Sequence, residues 1–292
     1  MIRLTPSRSA TAVLAWRRIP RGIGRLLIAA GGVVMLYPLL WMIGSSFKPE
    51  GQIFSTTGIV PTTWIFSNYT QGWDGLGYSM TGFLVNSVVL CLLCVLGNLV
   101  SCSLAAFAFA RLRFPLRRVL FAIMLTSIML PLHATIVPQY ILFKYLGWVG
   151  TIAPLVVPKF LAVDAFFVFL LVQFIRTIPR ELDDSAEIDG CGKFRLFATV
   201  ILPLCVPALA TTAIFTFLWT WSDFFSQLIY LSGNPAHFTI PVALGAFVDS
   251  TSQSSWGQLL AMSVVSLLPI FGFFLAFQRL LLEGISTTGL RG

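Results

Sequence analysis

Residues 181–203, ELDDSAEIDGCGKFRLFATVILP, place Glu181, Asp183, Asp184, Glu187 and Asp189, five of the chain's eleven acidic residues, within nine positions. Pro179 suits the first turn of a helix, and carboxylates that follow it favour the positive end of the helix dipole. A helix over about 179–188 would set Leu182, Ser185, Ala186 and Asp189 at i, i+3, i+4 and i+7, a narrow face of small and apolar residues among charges. Gly190 and Gly192 then permit a sharp turn. The segment from Lys193 onward is amphipathic and is stopped or kinked at Pro203.

The rest of the chain is of a different character. Of 292 residues 57% are hydrophobic and 10% charged, and the mean hydropathy is +0.88, whereas soluble proteins carry about 25% charged residues. Six apolar stretches, at about 26–47, 83–110, 119–143, 152–175, 200–222 and 257–279, are each long enough to cross a hydrocarbon core of about 30 Å. A spanning helix satisfies its own backbone hydrogen bonds, so the expected fold is all-α, a polytopic membrane bundle of about six helices. Pro38, Pro131, Pro138, Pro154, Pro158 and Pro269 interrupt these stretches, and kinks are expected there. The organisation read from this pattern is a basic tail over 1–25, a membrane domain over 26–280 that includes the loop at about 177–203, and a short tail over 281–292.

Sixteen of the nineteen Lys and Arg residues fall in the N-terminal tail, in RLRFPLRR at 111–118, around the acidic loop, or near the C-terminus, while residues 223–256 contain none. The excess of basic residues in cytoplasmic loops then predicts both termini and the acidic loop on the cytoplasmic side of the membrane. This accounts for the net charge of +8 through the lipid bilayer, with no role for nucleic acid. The apolar run after the tail is too long for a signal core and lacks a small-residue cleavage site, so an uncleaved span is expected. The tail either lies on the membrane through Val13, Leu14, Trp16 and Ile19 or is a disordered basic arm.

Chemistry-bearing motifs are sparse. Cys91 and Cys94 sit with Cys102 inside an apolar stretch and read as small hydrophobes; neither a disulfide nor a metal site is implied. GCGKF at 190–194 lacks both the spacing and the hydroxyl of a phosphate loop. His133 and His237 have no partner at ligand spacing and read as structural or interfacial. No catalytic residue, cofactor or ATP site is expected on this chain.

At the acidic loop the sequence resembles the membrane-spanning permease subunits of binding-protein-dependent ABC importers. Their cytoplasmic signature, Glu-Ala-Ala, three residues, Gly, nine residues, Ile, any residue, Leu-Pro, is matched by Asp184, Ser185, Ala186, Gly190, Val200, Leu202 and Pro203. Asp for Glu, Ser for Ala and Val for Ile are the departures. YPLLWMIGSSFKP from Tyr37, NY at Asn68, NSVV at Asn86, AAFAFARLRFP from Ala105, WSDF from Trp221 and the closing GISTTGLRG resemble the carbohydrate-uptake branch. Ser222 and Arg291 stand where that branch usually has Asn and Lys.

The resemblance implies a type I importer fold in a prokaryotic plasma membrane and a chain that pairs with a homologous permease. It further implies two separate ATPase subunits that use ATP-Mg, and an extracytoplasmic protein that delivers a carbohydrate-class solute. It makes the acidic loop a coupling helix, with Glu181, Asp184, Ser185, Ala186, Asp189, Gly190, Leu202 and Pro203 as ATPase-coupling residues. Polar or aromatic residues at membrane depth, Asn86, Asn98, Gln139, Asp164, Trp221 and Asp223, are the candidate linings of the solute path. Asp164 either lines that path or pairs with Lys159. Trp219 and Trp221 either stack on sugar rings or anchor the interface. The competing reading is an ion-coupled secondary transporter, against which stands the lack of a repeat between the two halves. A membrane-embedded enzyme would need a catalytic pair, which Asp164 alone does not make.

Overall fold

The computed structural model describes residues 21–250 and 255–289, and its regular elements there are all helical. Helix α1 is Arg21–Ser45, α2 Ser67–Trp73, α3 Met80–Arg111, α4 Arg117–Ser127, α5 Leu132–Tyr145, α6 Ala153–Val156 and α7 Ala165–Thr177. The acidic stretch forms α8, Glu181–Ile188, and α9 is Lys193–Leu204. Then come α10 Val206–Ser222, α11 Phe224–Leu231, α12 Ile240–Ser250 and α13 Trp256–Gly289. The N-terminal tail up to residue 20 lies outside the described residues, so the surface-bound and disordered readings of it are not addressed.

Four helical stretches, Gly22–Ser45, Met80–Arg111, Ala153–Thr177 and Trp256–Gln278, are long and apolar enough to span a membrane. A fifth is supplied by α9 and α10 together, bent by 77°. The expected single span at 119–143 is instead two helices. α4 ends at Ser127 and α5 starts after Pro131, because proline has no N–H to continue the ladder and disfavours helical backbone at the residue before it. Pro38 and Pro269 lie inside unbroken helices. The kink expected at Pro203 falls two residues later, at Cys205. Residues 281–289, expected as a tail, continue α13, and Arg21 and Arg25, assigned to the N-terminal tail, already belong to α1.

α3 is the centre of the bundle, packed against α10 on one side and α7 on the other. Its buried positions include Ser87, Cys91, Cys94, Gly97, Asn98, Ser101 and Cys102, a stripe of small residues that lets neighbouring backbones come close. Cys94 faces the Leu155 carbonyl at 3.5 Å and has no disulfide partner, in keeping with the reading of these cysteines as small hydrophobes. One core cluster joins the C-terminal half of α3 to α7, α8 and α9 through Ala106, Phe107, Phe167, Leu171, Ala186 and Leu196. A second joins its N-terminal half to α10, α12 and α13 through Phe83, Phe217, Phe247 and Met262. α1 contacts the bundle through α13 and leaves Leu26, Ile28, Val34 and Met35 exposed along it, as a lipid-facing helix requires.

At the end of the bundle opposite α8, residues 46–79 are fastened by polar contacts. Asn68 donates from Nδ2 to the carbonyls of Ser46 (2.8 Å) and Lys48 (3.1 Å), and the Tyr69 hydroxyl meets Ser46 Oγ at 2.8 Å. Lys48 is buried and donates to Gly58 O at 2.6 Å and Thr56 Oγ1 at 3.2 Å. The Glu50 carboxylate accepts from the Trp256 and Gly257 amides at 2.6 and 3.1 Å, capping α13 from a remote segment. The SSFKP and NY motifs are thus two halves of one joint.

Candidate functional site

The acidic helix is anchored at its base. Ala186 belongs to the buried core cluster that also takes in residues of α3, α7 and α9, and Asp183 turns inward to Arg111 at the end of α3. Arg111 donates to the Ile178 carbonyl at 2.8 Å, and its Nε lies 3.0 Å from Asp183 Oδ2, with the two side chains 4% and 12% exposed. Nε is not aligned for a hydrogen bond to that oxygen, so the contact is one of charge. Burial pushes the Asp183 carboxyl above its ordinary 3.8, and the pull of Arg111 in the other direction is the weaker influence. Desolvation outweighs attraction here, as is common for buried pairs.

The expected face of Leu182, Ser185, Ala186 and Asp189 divides. Ala186 is buried within the chain, whereas Leu182, Ser185 and Asp189 are exposed together with Glu181, Asp184 and Glu187. Ile188 and Phe194, at 87% and 75% exposure, add two apolar side chains at the tip. Asp183 was legible only as one more acid in the cluster. Its partner lies in another motif, and no local pattern links the two.

Gly190 ends α8 with φ +77°, in the left-handed region that glycine enters without strain. The Gly190 amide donates to Glu187 O at 3.0 Å and the Cys191 amide to Ala186 O at 2.9 Å, a complete Schellman closure. Gly192 has φ −66° and starts α9. A turn of π-helix, Phe197–Ile201, interrupts α9, and Leu202 and Pro203 lead into the bend at Cys205.

A polar seam crosses the bundle where α6 and α7 are joined by a 3-10 turn, Val157–Leu161. Gly97 makes this possible: a Cβ there would meet the Phe160 ring at 2.9 Å and Lys159 Cβ at 3.0 Å. With the turn lying on α3, Ser101 donates to Lys159 O at 2.6 Å. The Asp164 carboxylate accepts from Lys159 Nζ at 2.7 Å and from Asn98 Nδ2 at 2.6 Å, and Asn98 also donates to Thr216 Oγ1 on α10 at 3.0 Å. Asp164 therefore pairs with Lys159, and the pair keeps 25% and 28% side-chain exposure.

The other candidate path residues serve as joints. Asn86 donates to the carbonyls of Ala236 (2.8 Å) and Phe238 (2.9 Å). Gln139 Oε1 accepts from the Tyr230 hydroxyl at 3.1 Å. Asp223 caps α11 by accepting from the Ser226 amide at 3.0 Å. Trp221 is buried and stacked on Phe217, which stacks in turn on Phe273 at 3.9 Å. Trp219 is half exposed against Phe166 and Phe167. His237 meets the Gly150 carbonyl at 2.8 Å and Asn234 at 3.2 Å, a structural histidine. Among the described residues no three His, Cys, Asp or Glu side chains gather as a metal would need.

Long apolar helices, a small-residue seam and a charged helix anchored at one end are the features of a multi-pass membrane protein. Residues 97–286 match the family described as binding-protein-dependent transport system inner membrane component, and the chain belongs to that family. It is 31% identical over 261 residues to the probable ABC transporter permease protein YurM of Bacillus subtilis (strain 168), covering 89% of this chain and 85% of that one. It is also 31% identical over 258 residues to the trehalose transport system permease protein SugB of Mycobacterium tuberculosis, covering 88% and 93%. Its fold matches a bacterial ABC transporter involved in import of the acidic polysaccharide alginate, with a TM-score of 0.75, 19% identity and coverage of 95% and 99%. These agree with a permease of the carbohydrate-uptake branch, an all-α transport subunit that is not itself an enzyme.

Proposed function

We propose that this chain forms, with a homologous permease, the path for a carbohydrate-class solute, and that α8 and the turn after it carry movement from two separate ATPase subunits that bind ATP-Mg. The observation that supports this is the construction of α8. Its base is tied to α3 by Arg111, Ala186 is buried in the core and its end is closed at Gly190, while Leu182, Asp184, Ser185, Ile188 and Asp189 are presented outward. A force applied to the exposed face is passed into the centre of the bundle, because the packed core does not deform continuously. Nucleotide on the ATPases supplies the differential affinity for two states that alternating access requires.

Carbohydrate as the solute class is supported by relatives whose names specify trehalose, diacetylchitobiose and galactooligosaccharides. Delivery by an extracytoplasmic binding protein is in keeping with the family. Of the candidate path residues, Asp164 forms with Lys159 an ion pair that is only partly buried at membrane depth, and we assign it to the path.

The test is co-purification of the chain with its ATPase in mild detergent. Ile188→Asp together with Phe194→Asp removes the apolar tip and should abolish association while membrane level is kept; undiminished association would refute the coupling role. Orientation is tested with cysteines at 187 and 234, which should be labelled from the cytoplasm and from outside, respectively. The purified chain alone should hydrolyse no ATP.

A further inference from the structure

Beside the base of α8 the chain carries a basic recess that transport leaves unexplained. It has a volume of about 500 Å³ and is lined by Arg113, Arg117, Arg118 and Arg180 together with Leu116 and Val119. No acidic residue lines it. The adjoining recess, about 630 Å³, shares Arg117 and Arg180, adds Arg111 and Arg176, and contains one carboxylate, Glu181. Three of these cations are engaged elsewhere. Arg117 donates to the Leu112 carbonyl at 2.8 Å, Arg111 faces Asp183, and Arg176 lies over the Phe121 ring at 5.5 Å. Arg113, Arg118 and Arg180 are exposed and, among the described residues, form no ion pair within 4.0 Å.

Like charges gathered in excess of the nearby Asp183 and Glu181 carboxylates repel one another, so the recess favours an anionic occupant. Its apolar side indicates the kind. Leu116 and Val119 continue along α4 as Leu120 and Ile123, at i, i+3, i+4 and i+7, and all four are exposed, at 69%, 51%, 46% and 61%. A cationic cradle that opens onto an apolar stripe of a membrane helix fits a molecule with an anionic head and a hydrocarbon tail.

We infer that this recess binds the phosphate headgroup of an anionic membrane phospholipid, with Arg113, Arg118 and Arg180 as its ligands and the α4 stripe against an acyl chain. The site lies next to the coupling element, so the lipid would brace the base of α8. The inference rests on α4 lying at the membrane boundary, and not on any particular solute or ATPase.

The experiment uses the purified full chain in detergent, titrated with phosphatidylglycerol or phosphatidylcholine and followed by native mass spectrometry. Wild type should prefer phosphatidylglycerol. Each arginine near a membrane surface contributes roughly fivefold to anionic-lipid affinity, so Arg113→Gln, Arg118→Gln and Arg180→Gln together should lower it on the order of a hundredfold. The control Lys144→Gln with Arg195→Gln, both exposed cations elsewhere, should leave the preference in place. Should the triple variant fail to fold, the single variants, each with about a fivefold loss, keep the test decisive. An unchanged preference in the variants would overturn the site. Competition by glycerol phosphate or inorganic phosphate as effective as the lipid itself would assign the recess to a free anion and overturn the lipid. Loss of ATPase association in the variants with lipid preference intact would assign it to a protein partner.

Discussion

Replacement of Gly190 by valine tests whether the end of α8 is set by local backbone conformation. The residue has φ +77°, and a Cβ built on it meets nothing within 4 Å. Steric conflict with neighbours is therefore absent, and the whole cost is that of forcing a side chain into the left-handed region. That cost is about 1 to 2 kcal/mol for an L-residue, with β-branched valine at the upper end. The variant can relieve it by opening the two closing bonds, Gly190 N–H to Glu187 O and Cys191 N–H to Ala186 O. A cost of that size raises the open population by a factor of roughly 5 to 30. Hydrogen exchange of the peptide spanning 181–192 should accelerate by that factor, while exchange in α3 and α10 and the level of protein in the membrane stay unchanged. Gly190→Asn, which tolerates the left-handed region, should fall near wild type, and Gly190→Ala between the two. Gly192→Ala should have no effect, because Gly192 has φ −66° and open space around it. Equal protection in Gly190→Val and wild type, or equal loss in Gly192→Ala, would refute the reasoning.

Gly97→Val should push the 157–161 turn off α3, since a single Cβ already meets Phe160 at 2.9 Å; overpacking of this kind costs about 1 to 3 kcal/mol and should lower the melting temperature in detergent. Lys48→Met keeps the aliphatic stem but leaves the Gly58 carbonyl without its donor, a loss of about 1 to 3 kcal/mol; Lys144→Met, at an exposed site, should change stability by less than about 0.5 kcal/mol. The folded pKa of Asp183 is raised by burial, so its contribution to stability is fully present below its unfolded value of 3.8 and is lost as pH rises through the raised value. Subtracting the stability–pH curve of Asp183→Asn from that of wild type should isolate a decline with rising pH in that window, and a flat or rising difference would contradict it.

Most of the long apolar helices, the all-helical class and the acidic helix with its glycine end were legible because each depends on neighbours in sequence. Hydropathy is a property of a short window, a helix is closed by bonds between residues four apart, and proline or glycine acts where it stands. The same locality explains what was missed or left open. A window average cannot tell a continuous span from two helices separated at Pro131, and a small-residue face drawn on an isolated helix does not show that Ala186 faces inward. The polar residues chosen as path linings, Asn86, Gln139 and Asp223, were chosen for being polar in apolar surroundings. That identifies a need for partners without saying whether a solute or the chain itself meets it.

Sequence by itself determined the all-helical class, most of the long apolar helices and where the acidic helix ends, since apolar runs and backbone conformation at glycine are settled locally. Tertiary structure alone decided that Asn98 and Asp164, 66 positions apart, share a hydrogen bond, that Arg111 holds Asp183, and that Glu50 caps a helix 206 positions away. A buried charge or an open helix end only raises the cost of remaining unpaired. Which distant group meets that need is fixed when the helices pack, because only then do the two ends of each contact come within 3 Å or so of one another.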